Sequence, residues 1–436
     1  VISLGIPACT IFSSLLLDDD STPNLKQRIA DKAMAAGLLI AGANGMGFYN
    51  VRDRVLASGF DTRDHPYPGN VCLISQSGAG MSGIVDCERR LQFNFAVSSG
   101  YELTVSMEDY LDYALDLEET RVVGLFLETS RYPDKLVQAF KKAYQRNIPI
   151  IVLKVGRTDL AAELAVSHSG ALAGSDQCYS ALFDRYGVQR VDDMDQLATT
   201  LVMFAQPHPV AQGGVVSLHD SGGERQLMID LADSLKVPLT DLESSTVSTL
   251  KDILDIGLPA VNPLDGWGAG GPNANAIMAD CFTALLTDSG AAFGAVIHDR
   301  GPNSEVYSAY LEYLYQAQMA SGKPVFLVAN RQGSGSDELA ITSTHNGFAI
   351  IDGVSQFLIG ARCLLHYRDF QSRETMDRVD LDQGHYDHWR QRLKTEIRVT
   401  ETLASQCLID LGIPMLQSVL VGSEEELTLA GASVGF

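Results

Sequence analysis

Residues 167–175, Ser-His-Ser-Gly-Ala-Leu-Ala-Gly-Ser, set one imidazole, His168, in a run of small side chains. Such a stretch has no bulk for a core layer, and its glycines permit close approach to a ligand or movement between positions. Histidine is nucleophilic at neutral pH and can carry a phosphoryl or acyl group. A lone histidine is more often structural, but the context here favours chemistry. The segment follows a strand-like run from Pro149 to Val155 that ends in Lys154-Val155-Gly156-Arg157, and two Ser-Gly turns lie elsewhere at strand-to-helix junctions.

Those turns are Ser75-Gln76-Ser77-Gly78-Ala79-Gly80 and Asp220-Ser221-Gly222-Gly223. At such a junction the first turn of the helix leaves N–H groups unpaired, and the macrodipole adds roughly half a positive charge. Two such ends aimed at one point would hold a phosphoryl group without a lysine cluster; the competing reading is glycine used for packing alone. Glu128 closes the strand-like Gly124-Leu125-Phe126-Leu127. A carboxylate there lies where open α/β sheets bind ligands and could fix the second N–H of His168; otherwise it is a solvated strand end. The loop Asn262-Pro263-Leu264-Asp265, followed by Gly266-Trp267-Gly268-Ala269-Gly270-Gly271, offers close backbone approach or simply a flexible surface. His219, His298 and His345 lack metal-ligand spacing and read as structural, so no metal site is expected.

The elements that must position these groups follow an α/β pattern. Strands are expected at Val71–Ser75, Val122–Glu128, Pro149–Val155, Val215–Leu218, Phe293–His298 and Pro324–Ala329. Helices are expected at Asp134–Gln145, Asp176–Tyr186, Arg225–Ser234, Ser304–Ala320 and Thr400–Leu411, with 369–398 a connector or surface helix. The stretches 69–157 and 213–331 each open with a strand and a Ser-Gly turn and close with a proline-initiated strand, a weak internal repeat. Residues 1–50 read as the end of an earlier α/β unit, closing at Ile40–Gly47.

A chain of 436 residues suggests about two to four domains. A net charge of -22 disfavours broad nucleic-acid or anionic-membrane surfaces, though not a small anion held by backbone N–H groups. Seven scattered cysteines without CxxC spacing argue against structural disulfides and zinc and fit a reducing cytoplasm. No apolar run reaches membrane-spanning length. The chain starts without methionine and in mid-pattern, and is expected to be a piece of something longer.

Together these motifs resemble the ADP-forming acyl-CoA synthetases of the acetate–CoA ligase type, relatives of succinyl-CoA synthetase. The resemblance runs through Gly42–Gly47, Leu73–Ala79, Leu127-Glu128, Lys154–Thr158, Ser167–Asp176, Ser221–Gly223 and Asn262–Asp265. KVGRT and SHSGALAGSD, in that order and spacing, are its most specific elements. It implies a partial CoA-binding Rossmann-like domain at 1–66 and a flavodoxin-like phosphohistidine domain at 67–206. A second flavodoxin-like ligase domain at 207–372 would follow, then a connector and truncated ATP-grasp start at 373–436.

The implied reaction is reversible: acyl-CoA, phosphate and ADP give carboxylic acid, CoA and ATP. An acyl phosphate forms first, and His168 then takes the phosphoryl group. By the same resemblance Glu128 orients that histidine, and Ser75, Gln76, Ser77 and Gly78 with Ser221, Gly222 and Gly223 hold phosphate. Asn44 and Gly45 would meet CoA. Mg2+ is expected with a nucleotide domain, in the same longer chain or a separate subunit, and a homo-oligomer is compatible with the pattern.

Some positions depart from the family. Ala43 and Gly45 replace a usual proline and cysteine, Tyr101 a common asparagine, and Glu224 follows the second turn, where its charge would repel a phosphoryl group unless it points away. The alternative is a non-ligating regulatory part of a protein-lysine acetyltransferase, against which the presence of both His168 and Glu128 argues. A nucleotide-binding dehydrogenase is weaker still, for want of a complete GxGxxG fingerprint.

Overall fold

Short runs such as Val71–Ser75 are buried along their whole length, as strands covered on both faces must be. The structure is a computed structural model and describes residues 1–158, 160–161, 175–301, 307–331, 337–373, 382–396, 398–416 and 418–434. His168 lies outside the described residues. Two compact units are present, Val1–Ser372 and Arg373–Phe436.

The first unit opens with β1 (Ala8–Ile11), α1 (Leu25–Ala36) and β2 (Leu39–Gly42), and β1 and β2 form a two-stranded parallel sheet. Next come β3 (Gly47–Asn50), β4 (Val55–Ser58), β5 (Val71–Ser75), α2 (Gly78–Val85), β6 (Phe93–Ser98), α3 (Met107–Asp116) and β7 (Val122–Leu127). After them are α4 (Pro133–Arg146), β8 (Ile150–Lys154), α5 (Asp176–Tyr186), β9 (Gln189–Val191) and α6 (Met194–Phe204). Their strands make a seven-stranded sheet of order β4-β3-β6-β5-β7-β8-β9, parallel except for the β3–β4 hairpin, which joins β6 antiparallel. Residues 47–58, inside the expected 1–66 domain, therefore pair with the sheet of the next one.

The rest of the unit is β10 (Gly214–His219), α7 (Gly222–Leu235), α8 (Ser244–Ile253), β11 (Leu264–Asp265), α9 (Ala274–Thr287) and β12 (Ala291–His298). It ends with α10 (Tyr307–Ser321), β13 (Val325–Ala329), α11 (Glu338–His345), β14 (Ala349–Asp352) and α12 (Val354–Gln371). All five strands are parallel, in the order β11-β10-β12-β13-β14. Setting the hairpin aside, both sheets follow the doubly wound order 2-1-3-4-5. The weak sequence repeat thus corresponds to a shared topology.

One apolar cluster joins the sheets, with Leu197, Leu201 and Met203 of α6 meeting Phe357, Leu358 and Ala361 of α12. Gly360 allows this approach, because a Cβ there would lie 2.3 Å from Met203 Sδ. Arg90 adds a polar tie: Nη1 donates to the Ile350 carbonyl at 2.7 Å, while Nε and Nη2 grip the Glu88 carboxylate at 2.8 and 2.6 Å.

The second unit holds α13 (Gln383–Thr395), α14 (Glu401–Asp410) and α15 (Glu424–Val434). The Trp389 indole donates to Asp410 Oδ2 at 2.9 Å, tying α13 to the end of α14. No helix among the described residues is long and apolar enough to cross a membrane.

Candidate active site

In a 2-1-3-4-5 sheet the ligand crevice opens beyond the carboxyl ends of the first and third strands, where the winding direction reverses. In the first sheet those are β5 and β7, and the residues beyond them are Ser75–Gly78 and Glu128. Ser77 caps α2, its Oγ accepting from Gly80 N at 3.1 Å, and Ser75 Oγ donates to the Ser77 carbonyl at 2.6 Å. The N–H groups of Gly78 and Ala79 have no acceptor within the helix and are the donors an anion would meet.

Gln76 has a different task from the phosphate contact expected of it. Its Nε2 donates to Glu102 Oε1 at 2.9 Å and to the Thr129 carbonyl at 2.8 Å, and its backbone N–H goes to the Phe126 carbonyl at 3.1 Å. All its donors are thus engaged by protein. Its Oε1 accepts from Glu128 N at 2.7 Å and Thr129 N at 3.0 Å. On the other side of Glu128, Lys154 Nζ donates to its carbonyl at 2.7 Å and also to the Val155 carbonyl. Burial pushes the Lys154 ammonium down to about 8, and the Tyr179 ring lies 4.8 Å from Nζ. Both backbone groups of Glu128 are therefore held, which fixes the point from which its carboxylate projects.

The loop after Glu128 is pinned as well. Buried Glu108 accepts from Ser130 Oγ at 2.6 Å and Tyr132 N at 3.3 Å, and Ser130 N donates to Tyr179 Oη at 2.9 Å.

Asn44 and Gly45 sit against this site. Tyr101 N donates to the Ala43 carbonyl at 2.7 Å and Leu103 N to the Gly42 carbonyl at 3.1 Å. Gly100 has φ +60°, and a Cβ there would stand 2.1 Å from the Ala43 oxygen; one on Gly45 would stand 2.6 Å from the Ser98 oxygen. Only glycine permits such contact. Met46 reaches α2, its Cγ lying 2.6 Å from where a Gly78 Cβ would be.

In the second sheet the matching strands are β10 and β12, followed by Ser221–Gly223 and Asp299. Ser221 caps α7 without a side-chain hydrogen bond, and Gly222 lies against Asp265, whose Oδ2 would be 3.2 Å from an added Cβ. Glu224, one residue past the second turn, is half-buried. It turns toward Asn330, whose Nδ2 donates to it, and toward Asp220, which also accepts from Tyr310 Oη at 2.7 Å. Burial, with Asp220 and Asp299 nearby, pushes its carboxyl well above the usual carboxylate range. Oxygens of Asp220, Glu224 and Asp299 lie within 4.8 Å of one another; a proton on Glu224 relieves that crowding.

Asn262 is structural: it accepts from Ser217 N at 3.0 Å and donates to the Val215 and Thr240 carbonyls at 2.9 and 3.0 Å. His219 and His298 are fully buried, and burial lowers them to about 3 and about 4.

The first sheet thus brings Ser75–Gly78 and Glu128 to adjacent strand ends, with the Gly42–Gly45 loop packed on the neighbouring 98–103 turn, while the contacts described for Ser221–Gly223 lie within the second sheet. Sequence reasoning missed Glu102, Glu108 and Tyr179. A polar residue buried by distant partners leaves no local pattern.

Residues 68–204, which carry most of the first sheet, match the model of the succinyl-CoA ligase like flavodoxin domain. Among full-length relatives, an ADP-forming acetate–CoA ligase of Methanocaldococcus jannaschii is 32% identical over 55% of this chain and 34% of its own length. The alpha subunit of ADP-forming acetate–CoA ligase II of Pyrococcus furiosus is 28% identical over 55% of this chain and 52% of its own. The chain thus spans about a third to a half of these relatives. The fold matches the dinucleotide forming acetyl-coenzyme A synthetase 1 of Ca. Korarchaeum cryptofilum, solved with phosphate and ADP. The TM-score is 0.72 at 20% identity, over 85% of this chain and 79% of that one.

Proposed function

We propose that this chain is the core of an ADP-forming acid–CoA ligase, interconverting acyl-CoA, phosphate and ADP with carboxylic acid, CoA and ATP. Phosphate oxygen attacks the thioester carbonyl and the thiolate of CoA leaves, giving an acyl phosphate. The His168 imidazole then attacks phosphorus, and the carboxylate leaves. The phosphohistidine finally passes its phosphoryl group to ADP.

The observation that carries this reading is the fixed backbone of Glu128 at the switch point of the first sheet, beside the exposed donors of α2. A rigid carboxylate is what an acceptor imidazole needs to hold its tautomer and stabilise its positive charge after phosphorylation. Gly78 with Ala79, and Ser221–Gly223, would supply backbone donors to the phosphoryl oxygens, and Asn44-Gly45 would meet CoA. The upward shift of the Glu224 carboxyl favours its protonated form and lessens the repulsion that an ionised side chain would impose there.

The domain division 1–66, 67–206, 207–372 and 373–436 is part of this reading. So are a cytoplasmic location and an ATP-grasp partner domain or subunit that holds the nucleotide and its Mg2+. The alpha-subunit organisation of the Pyrococcus furiosus relative supports a separate partner.

Incubating the full-length protein and its nucleotide partner with γ-labelled ATP should give an acid-labile, base-stable phosphoprotein that His168→Ala abolishes. Labelling and turnover both intact in His168→Ala would overturn the assignment.

A further inference from the structure

Glu102 plays no part in the reaction above, yet it stands where two parts of the site meet. It belongs to the 99–103 turn that clasps the Gly42–Gly45 loop, and it takes a left-handed backbone, φ +55°, unusual for a side-chain-bearing residue. Its side chain is completely inaccessible. Oε1 accepts from Ser99 Oγ at 2.8 Å and from Gln76 Nε2 at 2.9 Å. Oε2 lies 3.2 Å from Arg131 Nε, an ion pair without hydrogen-bond alignment.

The amide of Gln76 relays this anchorage. Each of its two ends is committed, Nε2 to Glu102 and the Thr129 carbonyl, Oε1 to the N–H groups of Glu128 and Thr129. A planar amide gripped at one end cannot turn without moving what the other end holds. The connection from the Asn44 loop to Glu128 therefore runs through the 99–103 turn, the Glu102 carboxyl and the Gln76 amide.

We propose that Glu102 is a positioning residue for Glu128, fixing through Gln76 the backbone that carries the Glu128 carboxylate and doing so according to its own charge. The proposal rests on the ligase reading for its catalytic meaning, though the positioning itself does not need turnover to be seen. When Glu102 is ionised it balances Arg131 and accepts from Gln76 at full strength. When it is protonated, the ion pair is lost and the acceptor is weaker.

The groups facing it are Arg131, which favours the charged form, Glu108, which opposes it, and Tyr110 of α3. Lys26 of α1 lies within reach of Arg131. Burial outweighs the hydrogen bonds and Arg131 and pushes the carboxyl up to about 7, within the working range of an enzyme at neutral pH.

The test follows the backbone amide resonances of Glu128 and Thr129 in the isotope-labelled chain, from about pH 5.5 to about pH 8.5, with no substrate present. Both should move with a midpoint near 7 and become flat in Glu102→Gln, while Glu108→Gln keeps the transition. Should Glu102→Gln fail to fold, Arg131→Gln serves, raising the midpoint by roughly half a unit or more. The same midpoint in Glu102→Gln, no movement in the wild type, or no shift in Arg131→Gln would overturn the proposal. In the complete enzyme, kcat should fall more than KM changes as pH drops through 7, and Glu102→Gln should flatten that limb. A limb that persists with its midpoint unchanged in Glu102→Gln counts against the proposal. Titrating amides without any His168 labelling would uphold the positioning and remove the ligase reading instead.

Discussion

Lys154 Nζ donates to the Glu128 carbonyl across adjacent parallel strand ends at 2.7 Å, and the same ammonium serves the Val155 carbonyl. Lys154→Met keeps an unbranched side chain one atom shorter and removes both donations. Both carbonyls are half-buried, where losing a hydrogen bond costs about 0.5–1.5 kcal/mol. Urea denaturation should therefore show a loss of roughly 1–3 kcal/mol, and on the ligase reading phosphohistidine yield should fall with it. An unchanged denaturation midpoint would show that water replaces the ammonium.

Glu102 gives the stability a pH dependence of known sign. Its carboxyl is raised in the folded protein to about 7, from an ordinary value of 4.5. The native state therefore binds the proton more tightly, and this group's contribution is complete below about pH 4.5 and lost as pH rises through 7. Stability relative to Glu102→Gln should decline by about 3 kcal/mol across that window and level off above it. Denaturant titrations of both proteins at several pH values measure the difference directly.

Gly100→Ala should be more damaging than a positive φ alone explains. Its Cβ would be driven to 2.1 Å from the Ala43 carbonyl oxygen, a backbone atom, whereas Gly322 has a similar φ of +67° and nothing within 4 Å. Overpacking of this kind costs typically ~1–3 kcal/mol. Gly100→Ala should exceed Gly322→Ala by about that amount in chemical denaturation. If the Asn44-Gly45 loop meets CoA as proposed, Gly100→Ala should also weaken CoA binding by calorimetry, while Gly322→Ala leaves that unaltered.

Arg90→Met tests how the two sheets are held in register. It strands the half-buried Glu88 carboxylate and leaves the Ile350 carbonyl without this donor. Breaking a buried pair from one side costs about 3–5 kcal/mol, and Arg90→Met combined with Glu88→Gln should recover part of it. Full additivity of the two substitutions would mean that the pair does not act as a unit.

Much of this site was legible in the sequence because its logic is local. A β-branched run, a Ser-Gly turn and a helical pattern are neighbours in the chain, so the ends of β5, β7 and β10 could be located before any fold was known. The Asp176–Tyr186 helix matches the expected bounds, and α7 starts at Gly222 where Arg225 was expected, because glycines at its first positions hide the helical signal. The β3–β4 hairpin was not legible. Its strands have four residues each, and β6, the partner of β3 in the sheet, lies some forty residues further on. Gln76 was read as a phosphate ligand together with its neighbours in the turn; only the distant positions of Glu102 and Thr129 show that its amide is spoken for. The surroundings of Glu224 were hidden for the same reason, since Asp220, Asp299 and Asn330 arrive from the ends of β10, β12 and β13.

The hairpin has a practical consequence for anyone dividing this protein. A fragment beginning at residue 67 would strip β3 from β6 and bare the unpaired edge of Phe93–Ser98, six residues that are all buried in the intact molecule. An uncovered apolar edge is a template for intermolecular strand pairing. Such a fragment should precipitate or self-associate, and a cut placed ahead of Gly47 should stay dispersed.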